Sequence, residues 1–324
     1  MSAPVLEIRD LAVAIHGVRA VDGVSFTLAA ARTLAIVGES GCGKSLTALA
    51  IMRLLGPGLE LASGSIRLEG RDLAELDDAA LRQLRGDAIA MIFQDPVLSL
   101  NPLQRVGIQV AEALAIHRGL DARAARAEAI AMLGRVGIPA PETRFGQFPF
   151  ELSGGMCQRV MIAMALICGP RVLIADEPTT ALDVTIQAQI LALMKRLRSE
   201  TGTAILLITH DMGVVADLAD DVGVMYAGRI VEQGPVDAIF ANPRHPYTRL
   251  LLRSIPKLEG RRKTMLPSID GTVPDLRDLP GGCRFRTRCP LASDRCAEMM
   301  PELDREAGAH RAACWHTDRV MELA

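Results

Sequence analysis

The sequence predicts an α/β fold in which buried parallel strands alternate with helices. Three short apolar runs indicate the strands, because each is rich in Ile, Val and Leu and is followed by polar residues: TLAIVG, VLIAD and AILLIT. Between the second and third runs, apolar residues recur at helical spacing: Ile186, Ile190, Leu193, Met194 and Leu197. Strand, helix and strand in this order are typical of βαβ units.

The length and composition predict a folded chain with more than one domain. A chain of 324 residues suits one large domain and one smaller domain. Hydrophobic residues make up 49% and charged residues 23%, which is the balance of a globular protein rather than a disordered one. The net charge of -2 provides no general basic field, so we expect no nucleic-acid partner.

The hydropathy pattern predicts a chain without a membrane span. The longest apolar stretch, from Val160 to Cys168, is about half of the ~20 residues that cross a bilayer. The N-terminal residues MSAPVLEIRDLAVAI lack the basic region and the uninterrupted apolar core of a secretory signal. We therefore expect a cytosolic chain, in which cysteines are thiols or metal ligands rather than disulfides.

The patterns along the chain predict several regions in a fixed order. The alternating segments LEIRDLAVAI and GSIRLEG predict an antiparallel sheet near the start. Residues from about 96 to 160 hold helical patterns without a convincing buried strand, which predicts a helical insertion. After Gly234 prolines recur and four cysteines cluster, which indicates a separate module. We predict a first domain over residues 1–240 and a second over residues 241–324.

A glycine-rich loop follows the first buried strand and precedes a helical pattern. Four of its residues match the spacing G-x-x-x-x-G-K-[ST]. The glycines let backbone N–H groups turn toward phosphates, Lys44 adds a positive charge, and Ser45 can ligate Mg²⁺. The sequence therefore predicts a nucleotide site in this loop, formed by Gly38, Glu39, Ser40, Gly41, Cys42, Gly43, Lys44, Ser45 and Leu46.

Two carboxylates end the second buried strand, and a histidine ends the third. We predict that Asp176 holds Mg²⁺, directly or through water, and that Glu177 polarises the attacking water. The alternative is an acidic pair at a helix start, where carboxylates are common. His210 is predicted at the same sheet edge, in reach of the terminal phosphate, although a lone histidine there is more often structural.

Further motifs lie between the loop and the carboxylates and after them. LSGGMCQRV places Ser153, Gly154 and Gly155 at the start of a helical pattern, and it resembles the signature of ATP-binding cassette ATPases. The other motifs of that family are also present, in the family's order and with its spacing: a Q-loop glutamine at Gln94, a D-loop aspartate at Asp183 and a switch histidine at His210. Residues 38–210 as a whole resemble this family.

The resemblance implies a fold and a set of site residues. The implied fold is a P-loop NTPase (RecA-like) ABC ATPase core with an antiparallel β subdomain, a helical subdomain and a small C-terminal module with cysteines. The implied roles are catalysis for Glu177, His210 and Gln94, Mg²⁺ binding for Ser45, Gln94 and Asp176, and nucleotide binding for Ser153, Gly154, Gly155, Gln158 and Asp183 beside the loop.

The resemblance extends to one subfamily over nearly the full length. MIFQDPVLSLNPL, NPRHPYTRLLLRSIP and GCRFRTRCPLASDRC look like segments of the ATPase subunits of bacterial oligopeptide and dipeptide importers. Importers of nickel, glutathione and antimicrobial peptides share this pattern and are alternatives. A soluble ABC ATPase of DNA repair or translation is a rival, but only 109 positions separate Lys44 from Ser153 and the chain has one cassette.

The subfamily implies partners and a location. It implies a head-to-tail heterodimer with a second, homologous ATPase, in which Ser153 to Gly155 serve ATP bound to the partner's loop. It also implies two membrane permeases and an extracytoplasmic solute-binding protein that acts indirectly. The chain would then lie at the cytoplasmic face of the bacterial inner membrane, as a peripheral subunit.

The chain departs from the family's pattern at two places. Cys157 stands in the signature where the family commonly has Arg or Gln, but Ser153 and both glycines are intact, so we expect a competent site. The family usually stacks adenine on an aromatic residue near the N-terminus, where this chain has only Ile15 and His16. ATP affinity is therefore expected to rest more on the phosphate contacts.

Four cysteines of the C-terminal module form a candidate metal site: Cys283, Cys289, Cys296 and Cys314. Their spacing is wider than that of zinc knuckles, which argues mildly against Zn²⁺. Four thiolates suit Zn²⁺ or an iron–sulfur cluster, and nearby His310 and His316 leave a mixed zinc site as an alternative. Reduced thiols in a small core are the third interpretation. The family resemblance implies a 4Fe-4S cluster.

Overall fold

The structure is a computed structural model that describes residues 3–180, 182–255, 268–303 and 308–323. Pro256 and Pro267 of the proline-rich tail lie outside the described residues. The strands are β1 Leu6–Ile15, β2 Val18–Leu28, β3 Thr33–Val37, β4 Leu59–Leu68, β5 Arg71–Asp72, β6 Ile89–Ile92, β7 Val172–Asp176, β8 Ala204–Thr209, β9 Asp221–Tyr226, β10 Arg229–Pro235 and β11 Arg311–Ala312. The helices are α1 Lys44–Ile51, α2 Asp78–Leu84, α3 Pro96–Ser99, α4 Val106–Arg118, α5 Ala122–Arg135, α6 Pro141–Arg144, α7 Gly154–Leu166, α8 Val184–Thr201, α9 Met212–Leu218, α10 Val236–Ala241, α11 Pro246–Arg253 and α12 Asp294–Glu298.

The chain divides into two compact units. The helical unit comprises Met1–Leu6, Leu28–Arg32 and Arg67–Leu207. The phosphate-loop unit comprises Glu7–Thr27, Thr33–Ile66 and Ile208–Ala324. The division falls within β8. The predicted domains, residues 1–240 and 241–324, are continuous in the sequence, whereas each compact unit combines separate segments of the chain. The boundary between the predicted domains stays a prediction.

The two segments predicted to share a sheet near the start, LEIRDLAVAI and GSIRLEG, lie in the neighbouring strands β1 and β4. A hairpin of β1 with β2 begins the phosphate-loop unit, and β2 was not predicted from the sequence. Strands β1 and β2 are neighbours, and His16 and Gly17 between them have φ values of 47° and 80°. Two central residues with positive φ form the tight turn that suits the twist of paired strands. Strand β4 follows β1 in the same sheet, and β5 pairs with the end of β4 within the helical unit.

The three predicted buried strands are confirmed as β3, β7 and β8, and every residue in them is buried. In the phosphate-loop unit, β3 pairs in parallel with β9, and Leu34 lies opposite Asp221. In the helical unit, β6 pairs in parallel with β7, and Ile89 lies opposite Val172. Parallel pairing buries both faces of a strand, which explains why these runs are continuously apolar. The predicted α/β class is confirmed.

The β9–β10 hairpin of the phosphate-loop unit was not predicted from the sequence. These strands pair antiparallel, with a bulge between Ile230 and Glu232. Strand β10 also pairs with the short β11 near the C-terminus. Backbone hydrogen bonds therefore join residues near the C-terminus to β10 within the phosphate-loop unit.

Residues 96–160 of the helical unit are helical, as their sequence pattern predicts, while their status as a subdomain stays a prediction. Residues 96–160, all described, hold α3 to α6 and the start of α7 and no strand. Leu114, Ala125 and Cys168 form a buried cluster in this region, and Arg118 Nη2 donates to the Cys168 carbonyl at 2.7 Å. No helix of the described residues is long and apolar enough to cross a membrane.

Two glycines of the helical unit offer a matched test of packing. A Cβ at Gly107 in α4 would lie 2.1 Å from the Phe145 ring, whereas a Cβ at Gly134 in α5 would lie 3.8 Å from its nearest neighbour. We expect Gly107→Ala to lower the free energy of unfolding by about 1–3 kcal/mol through overpacking. Gly134→Ala should raise it by up to about 1 kcal/mol, because Ala favours the helix.

Urea denaturation of the full chain measures both values. A Gly107→Ala protein as stable as the Gly134→Ala protein would contradict the packing described for α4.

Candidate nucleotide site

The phosphate loop connects β3 to α1, as the sequence predicts. Residues 38–43 form the loop, and α1 begins at Lys44 with Gly43 at its N-cap. A Cβ at Gly38 would lie 2.1 Å from the Met225 carbonyl oxygen, so the close approach of these two backbones requires glycine here. The loop therefore runs directly against β9.

The ammonium of Lys44 is buried inside this loop. Its Nζ donates to the carbonyl oxygens of Gly38 at 2.8 Å and Glu39 at 3.1 Å, and the residue is 6% exposed. These carbonyls satisfy hydrogen bonds but carry no net charge. A buried cation is costly without an anion, so its positive charge favours a phosphate at the N-terminus of α1.

Cys42 is part of the packing of the loop. Its side chain is fully buried, and burial raises the pKa of the thiol, with the nearby Lys44 acting in the opposite direction. Ser40 and Gly41, by contrast, line an open cavity. The loop thus has one side packed in the core and one side open.

The cavity beside Ser40 and Gly41 has a volume of about 540 Å³, within the range typical of ligand pockets. Its other walls come from Ile15, His16 and Val18 of the first hairpin and from residues 273–277. The hairpin wall is the one where the family resemblance places adenine. The C-terminal wall includes Pro274 and Leu276 and was not identified from the sequence.

His210 also lies in the phosphate-loop unit, directly after β8. Its side chain is exposed, and the next residue, Asp211, caps α9 by accepting from Gly213 N at 2.8 Å. Asp211 N in turn donates to Thr209 Oγ1 at 3.0 Å. This turn presents His210 at the end of a fully buried strand, as predicted, while its contact with phosphate stays a prediction.

In the helical unit, the fold brings Gln94 and Glu177 together. Gln94 Nε2 donates to Glu177 Oε2 at 3.2 Å, and Thr180 Oγ1 donates to the same oxygen at 2.8 Å. Glu177 has a φ of 47°, in the left-handed region that is uncommon for a residue with a side chain. Asp176 precedes it at the buried end of β7.

The signature segment forms the start of α7. Ser153 is the N-cap, and its Oγ accepts from Met156 N at 3.4 Å. Gly154 begins the helix, and a Cβ at Gly155 would lie 3.0 Å from the Ile186 side chain. Cys157 is buried and donates to the Pro149 carbonyl at 3.5 Å, so the departure from the family's pattern lies in the core.

Gln158 ties the signature helix to the segment that follows Glu177. Its buried Nε2 donates to the Pro178 carbonyl at 2.7 Å. Asp183 caps α8, and its Oδ1 accepts from Thr185 N and Ile186 N, both at 3.0 Å. Both side chains form hydrogen bonds with backbone groups in this structure. Their contacts with a nucleotide stay predictions.

The predicted site residues divide between the two units. The phosphate-loop unit contains residues 38–46 and His210, and the helical unit contains Gln94, Ser153, Gly154, Gly155, Gln158, Asp176, Glu177 and Asp183. Two residues that contact the loop, Tyr247 and Arg288, were not predicted from the sequence, because both follow the loop by more than 200 positions.

The four C-terminal cysteines all lie in the phosphate-loop unit. Cys283 N donates to the Cys296 carbonyl at 2.7 Å, and Cys314 Sγ accepts from His316 N at 3.3 Å. Burial raises the pKa of Cys289 to about 11 and that of Cys314 to about 12, and the neighbouring cysteines add to both shifts. Within the described ranges, no group of three or more His, Cys, Asp or Glu side chains is arranged to hold a metal ion.

The two histidines near these cysteines have other partners. His310 Nε2 lies 2.7 Å from Oε1 of the buried Glu232, and His316 Nε2 lies 2.9 Å from Ser293 Oγ. His310 thereby serves a buried carboxylate, which removes support for a mixed zinc site that includes it.

Comparison with known families agrees with this geometry. The ABC transporter family matches residues 21–180, and the C-terminal region of oligopeptide/dipeptide transporters matches residues 231–296. Among solved structures, a dimeric post-hydrolysis state of the ATP-binding cassette MJ0796 bound to ADP and Pi is 27% identical, with a TM-score of 0.64. That match covers 71% of this chain and 98% of the other. The fold and the loop define an ATP-binding cassette ATPase.

Curated relatives define the family more narrowly. A probable peptide ABC transporter ATP-binding protein of Sinorhizobium fredii is 51% identical over 98% of this chain and 96% of its own length. The dipeptide transport ATP-binding protein DppD of Bacillus subtilis is 51% identical over 95% of this chain and 92% of its own. The chain belongs to the family of ATP-binding subunits of oligopeptide and dipeptide ABC transporters.

The contact between Gln158 and Pro178 generates a prediction for this site. Gln158→Leu leaves the buried Pro178 carbonyl without its donor, so we expect a loss of about 1–3 kcal/mol in the free energy of unfolding. Gln83→Leu is the matched control, because Gln83 is exposed near the end of α2 and should change stability by less than about 0.5 kcal/mol.

Urea denaturation of the full-length variants makes the comparison. Equal stability of the two variants would show that the Gln158 contact does not hold the segment after Glu177.

Proposed function

We propose that the chain is the ATP-hydrolysing subunit of a bacterial ABC transporter that imports peptides of the dipeptide or oligopeptide class. The main support is the sequence similarity to peptide transport ATP-binding proteins over nearly the full length of the chain. This similarity includes the transporter-specific region from residue 231 to 296. Importers of nickel, glutathione or antimicrobial peptides stay as alternatives for the solute, because this subunit does not line the transport route.

The phosphate loop binds the nucleotide in this proposal. Lys44 and the backbone N–H groups at the start of α1 hold the β- and γ-phosphates, since the loop offers positive charge and donors in one place. His210 contacts the γ-phosphate. The cavity lined by Ile15, His16 and residues 273–277 receives the base.

The catalytic role of Glu177 is to orient and polarise the attacking water. Its carboxylate accepts hydrogen bonds from Gln94 and Thr180, which fix its position. Such preorganisation lowers the barrier because no side chain has to reorient during reaction. Asp183, Gln158 and the segment Ser153 to Gly155 complete a nucleotide site across a dimer.

The residues proposed for Mg²⁺ have the oxygen donors that this ion prefers: Ser45, Gln94 and Asp176. A bound Mg²⁺ neutralises charge on the phosphate oxygens during transfer. Asp176 is buried at a strand end, where a carboxylate gains from a nearby cation. The donor set therefore fits the ion.

The proposed assembly contains a second, homologous ATPase, two permeases and, indirectly, an extracytoplasmic solute-binding protein. Large apolar side chains exposed in the helical unit support a protein partner there: Val97, Leu98, Leu103 and Phe150. The subunit then lies peripherally at the cytoplasmic face of the inner membrane. In this arrangement, residues 1–240 form the ATPase domain and residues 241–324 the transporter-specific domain.

We also propose that Cys283, Cys289, Cys296 and Cys314 hold a 4Fe-4S cluster. Support comes from the number of thiols and from the backbone contact of Cys283 with Cys296. Each thiolate of such a cluster binds a different iron, so its ligands lie farther apart than those of a single ion. Zn²⁺ is the alternative.

Iron analysis tests the cluster. Protein purified without oxygen should contain about four irons per chain and absorb visible light, and Cys289→Ser should lose both. Cys168→Ser is the control, because Cys168 is buried in the helical unit. Colourless protein with stoichiometric zinc would overturn the proposal.

ATPase assays test the function as a whole. We compare the chain alone with the complex formed by co-expression with the neighbouring operon products, in wild type and Glu177→Gln. Activity should appear in the membrane complex, rise with binding protein and peptide, and fall at least about 100-fold in the variant. Strong activity of the lone chain, indifferent to membrane partners, would contradict the importer role.

A further inference from the structure

The phosphate loop contains a carboxylate that faces the C-terminal part of the chain. Glu39 is the second residue of the loop, and its carbonyl oxygen accepts a hydrogen bond from Lys44 Nζ, as that of Gly38 does. A negative charge at this position opposes the binding of a polyanion such as ATP. The loop therefore requires a means of offsetting the Glu39 charge.

Arg288 supplies a bidentate partner for Glu39. Its Nη1 donates to Oε2 at 2.7 Å, and its Nη2 donates to Oε1 at 3.0 Å. Two parallel charge-assisted hydrogen bonds fix the plane of the carboxylate as well as its charge. The pair joins residues that are 249 positions apart in the chain.

The guanidinium of Arg288 is itself held in place. Its side chain is 3% exposed, whereas that of Glu39 is 30% exposed. Its Nε donates to the Asp270 carbonyl at 2.8 Å, and its Nη2 also donates to the Ile269 carbonyl at 3.2 Å. A buried arginine with this many partners is a rigid element of the site, unlike a mobile surface ion pair.

Tyr247 holds the backbone of the same residue. Its hydroxyl oxygen accepts from Glu39 N at 2.8 Å, and its ring packs against Tyr226 and Phe285 with centroid separations of 4.8 and 5.4 Å. Phe285 lies only three positions before Arg288. The carboxylate and the amide of Glu39 are thus both held by the C-terminal part of the chain.

We propose that Arg288 is a positioning residue for ATP binding: it neutralises the Glu39 carboxylate and holds it away from the phosphates bound at Lys44. The inference rests on the proposed function, because it requires that the loop binds ATP. It makes nucleotide affinity depend on a residue outside the cassette motifs.

A titration with a fluorescent ATP analogue, in full-length protein with Mg²⁺, tests this role. Arg288→Gln leaves the Glu39 charge uncompensated, so we expect about tenfold weaker binding, with a stronger dependence on salt concentration. Adding Glu39→Gln to Arg288→Gln removes the charge and should recover most of that loss. A merely structural role of Arg288 would give no such recovery.

Arg286→Gln is the matched control, because Arg286 lies two positions away and donates to the Gly281 carbonyl near the surface. It should bind the analogue as wild type does. A second comparison leaves Arg288 in place: Glu39→Asp keeps the charge but shortens the side chain, so it should bind more weakly than Glu39→Gln.

The outcomes separate this inference from the proposed function. A wild-type chain that binds no ATP analogue contradicts both. Binding by wild type together with equal binding by Arg288→Gln, or a double variant no better than Arg288→Gln, overturns the role of Arg288 alone. If Arg288→Gln does not fold, binding by Glu39→Asp that equals or exceeds that of Glu39→Gln overturns it.

Discussion

The buried ammonium of Lys44 is the constraint on which the rest of the site depends. It lies inside a loop whose nearest oxygens are the carbonyls of Gly38 and Glu39, so its charge is satisfied geometrically but not neutralised. Gly38 has to be glycine because the backbone of β9 runs against it. The loop is short, since α1 begins at Lys44. The anion preference of the site follows from this arrangement of backbone around one cation.

The C-terminal part of the chain helps to position this loop. A buried network centred on Glu232 links β10 to the residues that follow it, since its carboxylate accepts from Arg244 N, His245 N and His310 Nε2. Burial lowers the pKa of His245 to about 4, so its neutral Nδ1 accepts from Tyr247 N. The network thereby places the hydroxyl that holds Glu39.

Much of the fold and of the site could be predicted because the signals are local. Strands β3, β7 and β8 are continuous apolar runs, and the loop is a contiguous stretch whose glycines and lysine act through their own backbone. Asp183 and Ser153 cap helices that begin one position later. The β9–β10 hairpin was not predicted because its strands contain polar residues such as Glu232 and Gln233, which interrupt the apolar pattern. These residues are buried by partners elsewhere in the chain.

The sequence by itself determined the order of the motifs, the class of the fold and the residue types of the nucleotide site. Only the tertiary structure decided that Gln94 holds Glu177 and that Arg288 holds Glu39, pairs that are 83 and 249 positions apart. Periodicity and capping report on neighbours within a few residues, because helices and strands repeat over that distance. A side-chain contact between remote segments depends on how the sheet and its connections bring them together, and no local pattern encodes it.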